Sequence, residues 1–167
     1  MPRQRGFTLF EVIVAIAIMG ILMSIVLPFL PGDKQELLYE ELDRFEARVA
    51  YAQAHAVLQS QDLGFAVEDR EYRFLQRTQS GWEPIQDEPL QPQKIPQFLQ
   101  QKLLIEGVEV VVEEPLDDEP PTPKILFFSS GEVTPFTYRL ALSENNYTTL
   151  EYDPLGEVKR NEFREAK

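Results

Sequence analysis

Glu11 is the residue of this sequence whose chemistry is hardest to explain by solvation alone. It is the only charged side chain between residues 7 and 27, an otherwise apolar run. A carboxylate inside a membrane-spanning helix costs roughly 2.5–3.5 kcal/mol and normally has a polar partner. The simpler alternative is that Glu11 lies near one end of the run and reaches water. Which alternative holds depends on the residues around it.

The run that carries Glu11 has the length of a membrane-spanning helix. At about 1.5 Å per residue, a helix over residues 7–27 spans ~31 Å, the thickness of the hydrocarbon core of a bilayer. Arg3 and Arg5 precede the run and no acidic residue does, so the positive-inside rule predicts a cytoplasmic N-terminus. The small-x-small pattern at residues 15–17 lies inside the run rather than after it, which disfavours a cleaved secretory signal.

Residues 6–11 read Gly-Phe-Thr-Leu-Phe-Glu, after a short basic leader and before the apolar run. This pattern resembles the type IV pilin signal, also called the class III signal peptide. The resemblance implies that a prepilin peptidase cuts between Gly6 and Phe7 and methylates the new N-terminal amine of Phe7. It also implies that Glu11 faces the N-terminal amine of a neighbouring subunit in a helical filament, where each buried charge satisfies the other.

Other residues with reactive side chains give weaker signals. His55 is the only histidine and cysteine is absent, so we interpret His55 as a partly buried helix residue and expect no zinc site. Ser130 lies in a Ser-Ser-Gly turn without the surrounding glycines of a nucleophile elbow. An anchored enzyme would need a convergent acid–base or metal constellation. We expect no catalytic residues, no metal and no cofactor.

Residues 113–123, EEPLDDEPPTP, form an acidic and proline-rich stretch. Its carboxylates could bind calcium, which prefers oxygen ligands, but the spaced ligands and central glycine of a known calcium loop are missing. We therefore favour a solvated loop over a calcium site formed by Glu113, Glu114, Asp117, Asp118 and Glu119. The formal net charge of −12 and the pI near 4.5 argue against nucleic-acid binding, which needs basic surface.

The remaining pattern predicts an α+β domain behind the anchor. Pro28, Pro31 and Gly32 interrupt the helix, and Asp33 is a candidate N-cap for an amphipathic helix over residues 33–59. One apolar stripe recurs along that helix at four-three spacing, through Leu38, Leu42, Phe45, Val49, Ala52 and Ala56. Period-two alternation over residues 60–160 predicts antiparallel strands. Long connections interrupt them at residues 86–101 and 113–123, and residues 161–167 are expected to form a frayed tail.

The segment at residues 125–136, ILFFSSGEVTPF, indicates which subgroup of the type IV pilin-like proteins this sequence resembles. It resembles the FxPSGxxTPF segment of the H-type minor pseudopilins (GspH) of type II secretion systems, and Asp-Pro-Leu-Gly at residues 153–156 resembles their final turn. The resemblance implies a type IV pilin-like fold, with residues 1–6 removed as leader and residues 7–30 as transmembrane helix. The domain would be periplasmic and the anchor would lie in the bacterial inner membrane.

The same resemblance implies a structural role near the tip of a periplasmic pseudopilus. The expected partners are the I-, J- and K-type pseudopilins, the major pseudopilin, the prepilin peptidase and the inner-membrane secretion platform. A minor pilin of a type IV pilus, of the FimT/FimU kind, remains the alternative. Pilins of that branch often close a C-terminal disulfide, and this sequence has no cysteine. An anchored enzyme is a third and less favoured hypothesis.

Overall fold

The computed structural model describes residues 9–26, 33–68, 70–110 and 122–164. Two compact units are distinguished, residues 1–34 and residues 35–167. The described part of the first unit is one helix, α1 (Leu9–Val26). The described part of the second unit contains ten strands and helix α2 (Lys34–Gln59), except for the first residue of that helix. The strands are β1 (Leu63–Val67), β2 (Glu71–Thr78), β3 (Gly81–Pro84), β4 (Gln93–Lys94), β5 (Gln100–Ile105), β6 (Val108–Glu109), β7 (Ile125–Phe127), β8 (Phe136–Ser143), β9 (Asn146–Tyr152) and β10 (Val158–Arg164).

Helix α1 is apolar on all sides. Its 18 residues include one charge, Glu11, in the first turn, where the helix dipole favours an acidic side chain. The predicted transmembrane segment, residues 7–30, extends beyond the described residues at both ends. Within the described residues, no helix reaches the length and apolarity needed to span a membrane.

Helix α2 confirms the amphipathic pattern. All six residues of the predicted stripe are buried. The helix begins directly after Asp33, the position predicted for the N-cap. It ends with Ser60 in the left-handed conformation, at a φ of 51°. The amides of Ser60 and Gln61 bond the carbonyls of Val57 and Ala56, which is the Schellman arrangement that terminates many helices.

The strands form two antiparallel sheets. Sheet A has the order β3-β2-β1-β7, with β4 also pairing β2, and sheet B has the order β10-β9-β8-β5-β6. The prediction of antiparallel strands from period-two alternation is confirmed, for example by the pairing of β1 with β2, which places Phe65 opposite Phe74. In sheet B, β8 and β9 place Tyr138 opposite Leu150.

The core lies where α2 meets both sheets, and Phe45 is at its centre. The Phe45 ring stacks on Tyr138 of sheet B at a centroid distance of 3.9 Å. It also contacts Tyr72 of sheet A edge-on at 5.2 Å. Each fully buried side chain of this size contributes about 1.5–3 kcal/mol, so α2 holds the two sheets together through one stripe.

Residues 86–101, predicted as a long connection without regular structure, are instead folded onto the domain. They contain β4 and the start of β5, and Leu90, Ile95 and Leu99 are buried. Arg48 of α2 explains the difference, because its guanidinium donates to the carbonyl oxygen of Pro89 and to the side chain of Gln93. The acidic stretch at residues 113–123 lies outside the described residues except for its last two.

The predicted tail at residues 161–167 was also wrong in part, because β10 continues to Arg164. Every pair from Val158 opposite Tyr152 to Arg164 opposite Asn146 is formed. The sequence predicts strands only up to residue 160, since the following residues show no apolar alternation. Backbone pairing with β9 supplies the order that the side-chain pattern does not predict.

Candidate assembly site

Glu11 and the apolar surface around it form the first candidate site. Gly6 and Phe7, the predicted cleavage and methylation residues, lie outside the described residues. Glu11 is exposed on α1, within the described part of the first unit. Its apolar neighbours are exposed as well, with Leu9 at 79% and Ile16 at 65%. An apolar helix with this much exposed surface needs lipid or other helices to cover it.

The exposed face of α2 is the second candidate site, and its composition changes sharply along the helix. Up to Arg44 every exposed residue is charged, namely Lys34, Glu36, Glu40, Asp43 and Arg44. From Ala47 onward every exposed residue is uncharged. These residues, which we call the uncharged face, are Ala47, Ala50, Tyr51, Ala54, Val57, Leu58 and Gln59.

The uncharged face includes large apolar side chains. Tyr51 and Val57 are each 45% exposed, and Leu58 is 80% exposed. Leu155, in the turn after β9, is 69% exposed, and its carbonyl accepts a hydrogen bond from Gln53 of α2 at 2.9 Å. These four residues are a majority of the large hydrophobic residues that the described part of residues 35–167 exposes. Such a concentration marks an interaction surface.

Gln53 joins the two segments that carried the family resemblance. Its side-chain amide donates to the carbonyl oxygens of Leu155 and of Gly131, the latter at 3.1 Å. Gly131 has a φ of 96°, a conformation that favours glycine. A Cβ atom at Gly156 would lie within 2.5 Å of the Gln53 side chain. The two turns are therefore fitted to the last third of α2, and they help to frame the uncharged face.

β10 forms the third feature, along the N-terminal half of α2. The guanidinium of Arg160 pairs with the carboxylates of Asp43 at 2.6 Å and Glu46 at 2.9 Å. These carboxylates raise the pKa of Arg160, with the hydrogen bond to Asp43 as the largest cause. The pairs are partly exposed, and such pairs contribute little to stability. They hold β10 in place without burying it.

No local sequence pattern indicates the partners of Gln53, Arg48 or Arg160. Each contacts residues more than 40 positions away. A local pattern shows that these residues are polar positions of a helix or strand, but not which turn or loop they reach. In contrast, His55 is half-buried on α2, as predicted, with its ring 5.9 Å from that of Tyr51.

Candidate chemistry in the described residues is limited. No group of three or more acidic, histidine or cysteine side chains among them could hold a metal ion. The tyrosines of the core show raised pKa values. Burial raises the pKa of Tyr138 well above its usual value, and burial also raises that of Tyr72, against the opposing charge of Arg48. These hydroxyls stay protonated and act as packing and hydrogen-bonding groups.

Two family models match this sequence. The model for the prokaryotic N-terminal methylation motif matches residues 1–27. The model for the type II transport protein GspH matches residues 41–156, from within α2 to the turn before β10. The first match includes the predicted processing residues and Glu11. The second includes the uncharged face and both turns that contact Gln53.

Relatives and a solved structure agree with these matches. The chain is 29% identical to type II secretion system protein H of Dickeya chrysanthemi, over 99% of each protein. It is 27% identical to the protein of the same name from Aeromonas hydrophila, over 96% of this chain and 91% of that protein. Its fold is similar to the crystal structure of the minor pseudopilin EpsH from the type II secretion system of Vibrio cholerae. That similarity has a TM-score of 0.64 and 26% identity, and covers 81% of this chain and 100% of that one.

Proposed function

The chain belongs to the type II transport protein GspH family, and we propose from this membership that it works as a minor pseudopilin of a type II secretion system. The assignment depends most on the GspH match over residues 41–156, which covers α2 from Glu41 onward and strands β1 to β9. As a pseudopilin it acts by assembling with other pseudopilins and with the secretion system. Its role is structural rather than catalytic.

The N-terminal segment supplies the anchor in this proposal. A prepilin peptidase cuts between Gly6 and Phe7 and methylates Phe7, and residues 7–30 hold the protein in the inner membrane before assembly. The N-terminus faces the cytoplasm, as Arg3 and Arg5 favour, and the second unit lies in the periplasm. The match of residues 1–27 to the N-terminal methylation motif supports this part.

Glu11 sets the register of the subunit in the filament. Its carboxylate pairs with the N-terminal amine of a neighbouring subunit once the apolar helices bury one another. An unpaired buried charge is strongly destabilising, so a misplaced neighbour is rejected. The finer assignment is a position near the tip of the pseudopilus, with the I-, J- and K-type pseudopilins and the major pseudopilin as neighbours.

The uncharged face of α2 is the contact surface of the folded domain. The chain carries a formal net charge of −12, and neighbouring subunits with a similar charge would repel one another across most of their surface. The face from Ala47 to Gln59 removes this repulsion locally. Its three exposed alanines also allow the backbone of another helix to approach closely.

Secretion in cells that lack the wild-type protein tests this function. We expect wild-type protein to restore export of the folded substrates of the type II system, and Ala54→Glu to reduce export by about tenfold or more. Glu is a good helix former, so the substitution alters the face without breaking α2. Lys34→Glu, at the charged end of the same helix, is the matched control and should restore export fully.

The same cells separate the possible outcomes. Cross-linking of the protein to other pseudopilins should fall with Ala54→Glu and persist with Lys34→Glu. Loss of the protein that abolishes surface pili but leaves secretion intact would contradict the proposed function and favour the pilin alternative. Equal secretion by both variants would contradict the role of the uncharged face but would leave the proposed secretion function intact.

A further inference from the structure

β10 differs from the other strands that end a sheet. β3 has four residues and contains Pro84, β6 has two residues and β7 has three. β10 has seven residues, contains no proline, and pairs only with β9 on one side. Short strands and proline are common ways to protect a sheet edge from pairing with another chain. Among the described strands, β10 is therefore the longest open edge.

β10 also adds no side chain to the core. All seven of its residues are exposed, including Phe163 at 47%. The match to the GspH family model ends at residue 156, two residues before the strand begins. β10 thus lies outside the matched segment, and packing of the core does not account for its sequence. The side chains of Arg160, Glu162 and Arg164 contact α2. The outer main-chain edge of β10 has no partner strand among the described residues, so this edge is available to another strand.

The side chains of β10 are complementary to those of a second, antiparallel copy of the same strand. In an antiparallel pair of identical strands centred on Asn161, Arg160 lies opposite Glu162 at two places, and Lys159 lies opposite Phe163 at two places. Opposite charges and cation–aromatic contacts both stabilise cross-strand pairs. This register brings no two like charges directly opposite each other.

The neighbouring registers are unfavourable. A shift of the pairing by one residue would turn every side chain of β10 to the other face of the sheet. The alternative registers therefore shift the pairing by two residues, which moves the two-fold axis to a neighbouring residue. Centring the pair on Arg160 places that residue opposite its own copy. Centring it on Glu162 places Glu162 opposite itself and Arg160 opposite Arg164. Like charges directly opposite destabilise a pair. Centring it on Phe163 avoids like charges but pairs only residues 162–164 of the strand, whereas centring it on Asn161 pairs all seven residues.

We propose that β10 pairs antiparallel with β10 of a second copy of this chain, about a two-fold axis at Asn161. The two copies of sheet B then form one continuous sheet. Odd-numbered residues of β10 lie on the face that carries the stacked rings of Tyr147 and Phe163, 4.9 Å apart. Arg160 points to the opposite face, where it already contacts Asp43 and Glu46 of its own α2.

The charge of the chain is compatible with this contact. The chain as a whole is acidic, but β10 contains three basic residues and one acidic residue. Charges farther away than the Debye length of about 8 Å at physiological ionic strength are largely screened. The pairing edge is also smaller than a stable interface of ~1,200–2,000 Å², so the pairing is reversible and depends on concentration. It goes beyond the proposed secretion role and does not rest on it.

Single-cysteine variants of the full chain in membranes test the register directly, since the natural sequence contains no cysteine. Directly opposite residues have Cβ atoms ~5 Å apart, so Asn161→Cys should cross-link to itself at least about fivefold more than a residue away from the edge. Thr149→Cys is the matched control, because Thr149 pairs with Asn161 from the inner strand β9. Lys159→Cys and Phe163→Cys should cross-link when mixed but not separately. Equal yields at all positions, or no dimer at Asn161, would overturn the proposal.

A charge exchange provides a second test of the proposed pairing. In the Asn161→Cys background, Glu162→Arg places arginine opposite Arg160, and we expect dimer yield to fall. Mixing it with Asn161→Cys chains that carry Arg160→Gln removes one Arg–Arg contact and keeps Arg160 opposite Glu162 at the other place, so cross-linking should recover in part. The neutral glutamine avoids repulsion from Asp43 and Glu46 of its own α2. Thermal unfolding of each variant establishes that it is folded. An unchanged yield with Glu162→Arg, or no recovery on mixing folded variants, would overturn the two-fold register.

Discussion

Helices α1 and α2 use their apolar residues for different purposes. In α2 the large apolar residues of the stripe are buried within the chain's own domain, and Phe45 is only 1% exposed. In α1 the apolar residues at positions 9–22, whose side chains the structure describes, are exposed on every side, with Phe10 at 76%. Composition already separates the two helices, since α1 contains one charged residue and α2 contains eight. The difference shows that one apolar surface is used for folding and the other is left for lipid or for neighbouring helices.

A pair of truncations gives the largest expected effect and separates these two uses. Phe45→Ala should lower the free energy of unfolding by about 3–5 kcal/mol, because it leaves a cavity between the two sheets. Ile16→Ala, on exposed α1, should change it by less than about 0.5 kcal/mol. Denaturant unfolding followed by tyrosine fluorescence measures both. Similar losses for the two variants would show that α1 also contributes to the fold of the domain.

Glu11→Ala tests whether α1 is used for assembly. We expect the variant to insert in the membrane normally, since it loses a charge, but to enter the filament at least about tenfold less than wild type, equivalent to 1.4 kcal/mol. Cross-linking to neighbouring pseudopilins measures incorporation, and membrane fractionation measures insertion. Glu36→Ala, an exposed acidic residue near the start of α2, serves as control. Normal incorporation of Glu11→Ala would remove the assembly role of the carboxylate.

Tyr152→Phe gives the smallest effect and sharpens the description of the core. Burial raises the pKa of Tyr152 above its usual value of 10.0, with Glu46 adding to the shift and Arg160 opposing it. The unfolded state therefore loses its phenolic proton first. Stability is full below about pH 10 and falls as pH rises from there towards the folded pKa.

Among the described residues the Tyr152 hydroxyl has no hydrogen-bond partner. At pH 7 the Tyr152→Phe variant should thus differ from wild type by less than about 1 kcal/mol. Between pH 10 and 11 its stability should decline less steeply than that of wild type. Urea unfolding at each pH provides the comparison, and identical slopes would show that Tyr152 is not the group that titrates.

Prediction from the sequence was most accurate where the regular spacing of apolar residues indicates which positions are buried. The four-three spacing in α2 predicted all six buried positions, because a helix brings every third or fourth residue to one face. The antiparallel strands and the turns at Gly131 and Gly156 were also predicted, since alternation and turn residues are local features. The same local character made the family resemblance visible at residues 6–11 and 125–136.

These local patterns could not predict contacts between residues that are far apart in the sequence. Residues 86–101 contain three prolines and six glutamines, so composition favoured an irregular connection. Arg48 and the buried Leu90, Ile95 and Leu99 instead fix this segment to the domain. β10 was predicted too short for a related reason, as its pairing with β9 depends on the backbone. Of the candidate site, Glu11 could be identified from sequence, whereas the role of Gln53 required the fold.

The mass of the mature N-terminus tests the central claim most directly, because anchoring, processing and assembly all begin there. Intact protein from membranes of its native cells should lack residues 1–6 and should begin at Phe7 with one methyl group on its amine. Fragmentation of the N-terminal peptide would place that methyl group. A protein that retains Met1, or one cut after Leu27, would contradict the account, since neither could present a methylated amine beside Glu11 of a neighbouring subunit.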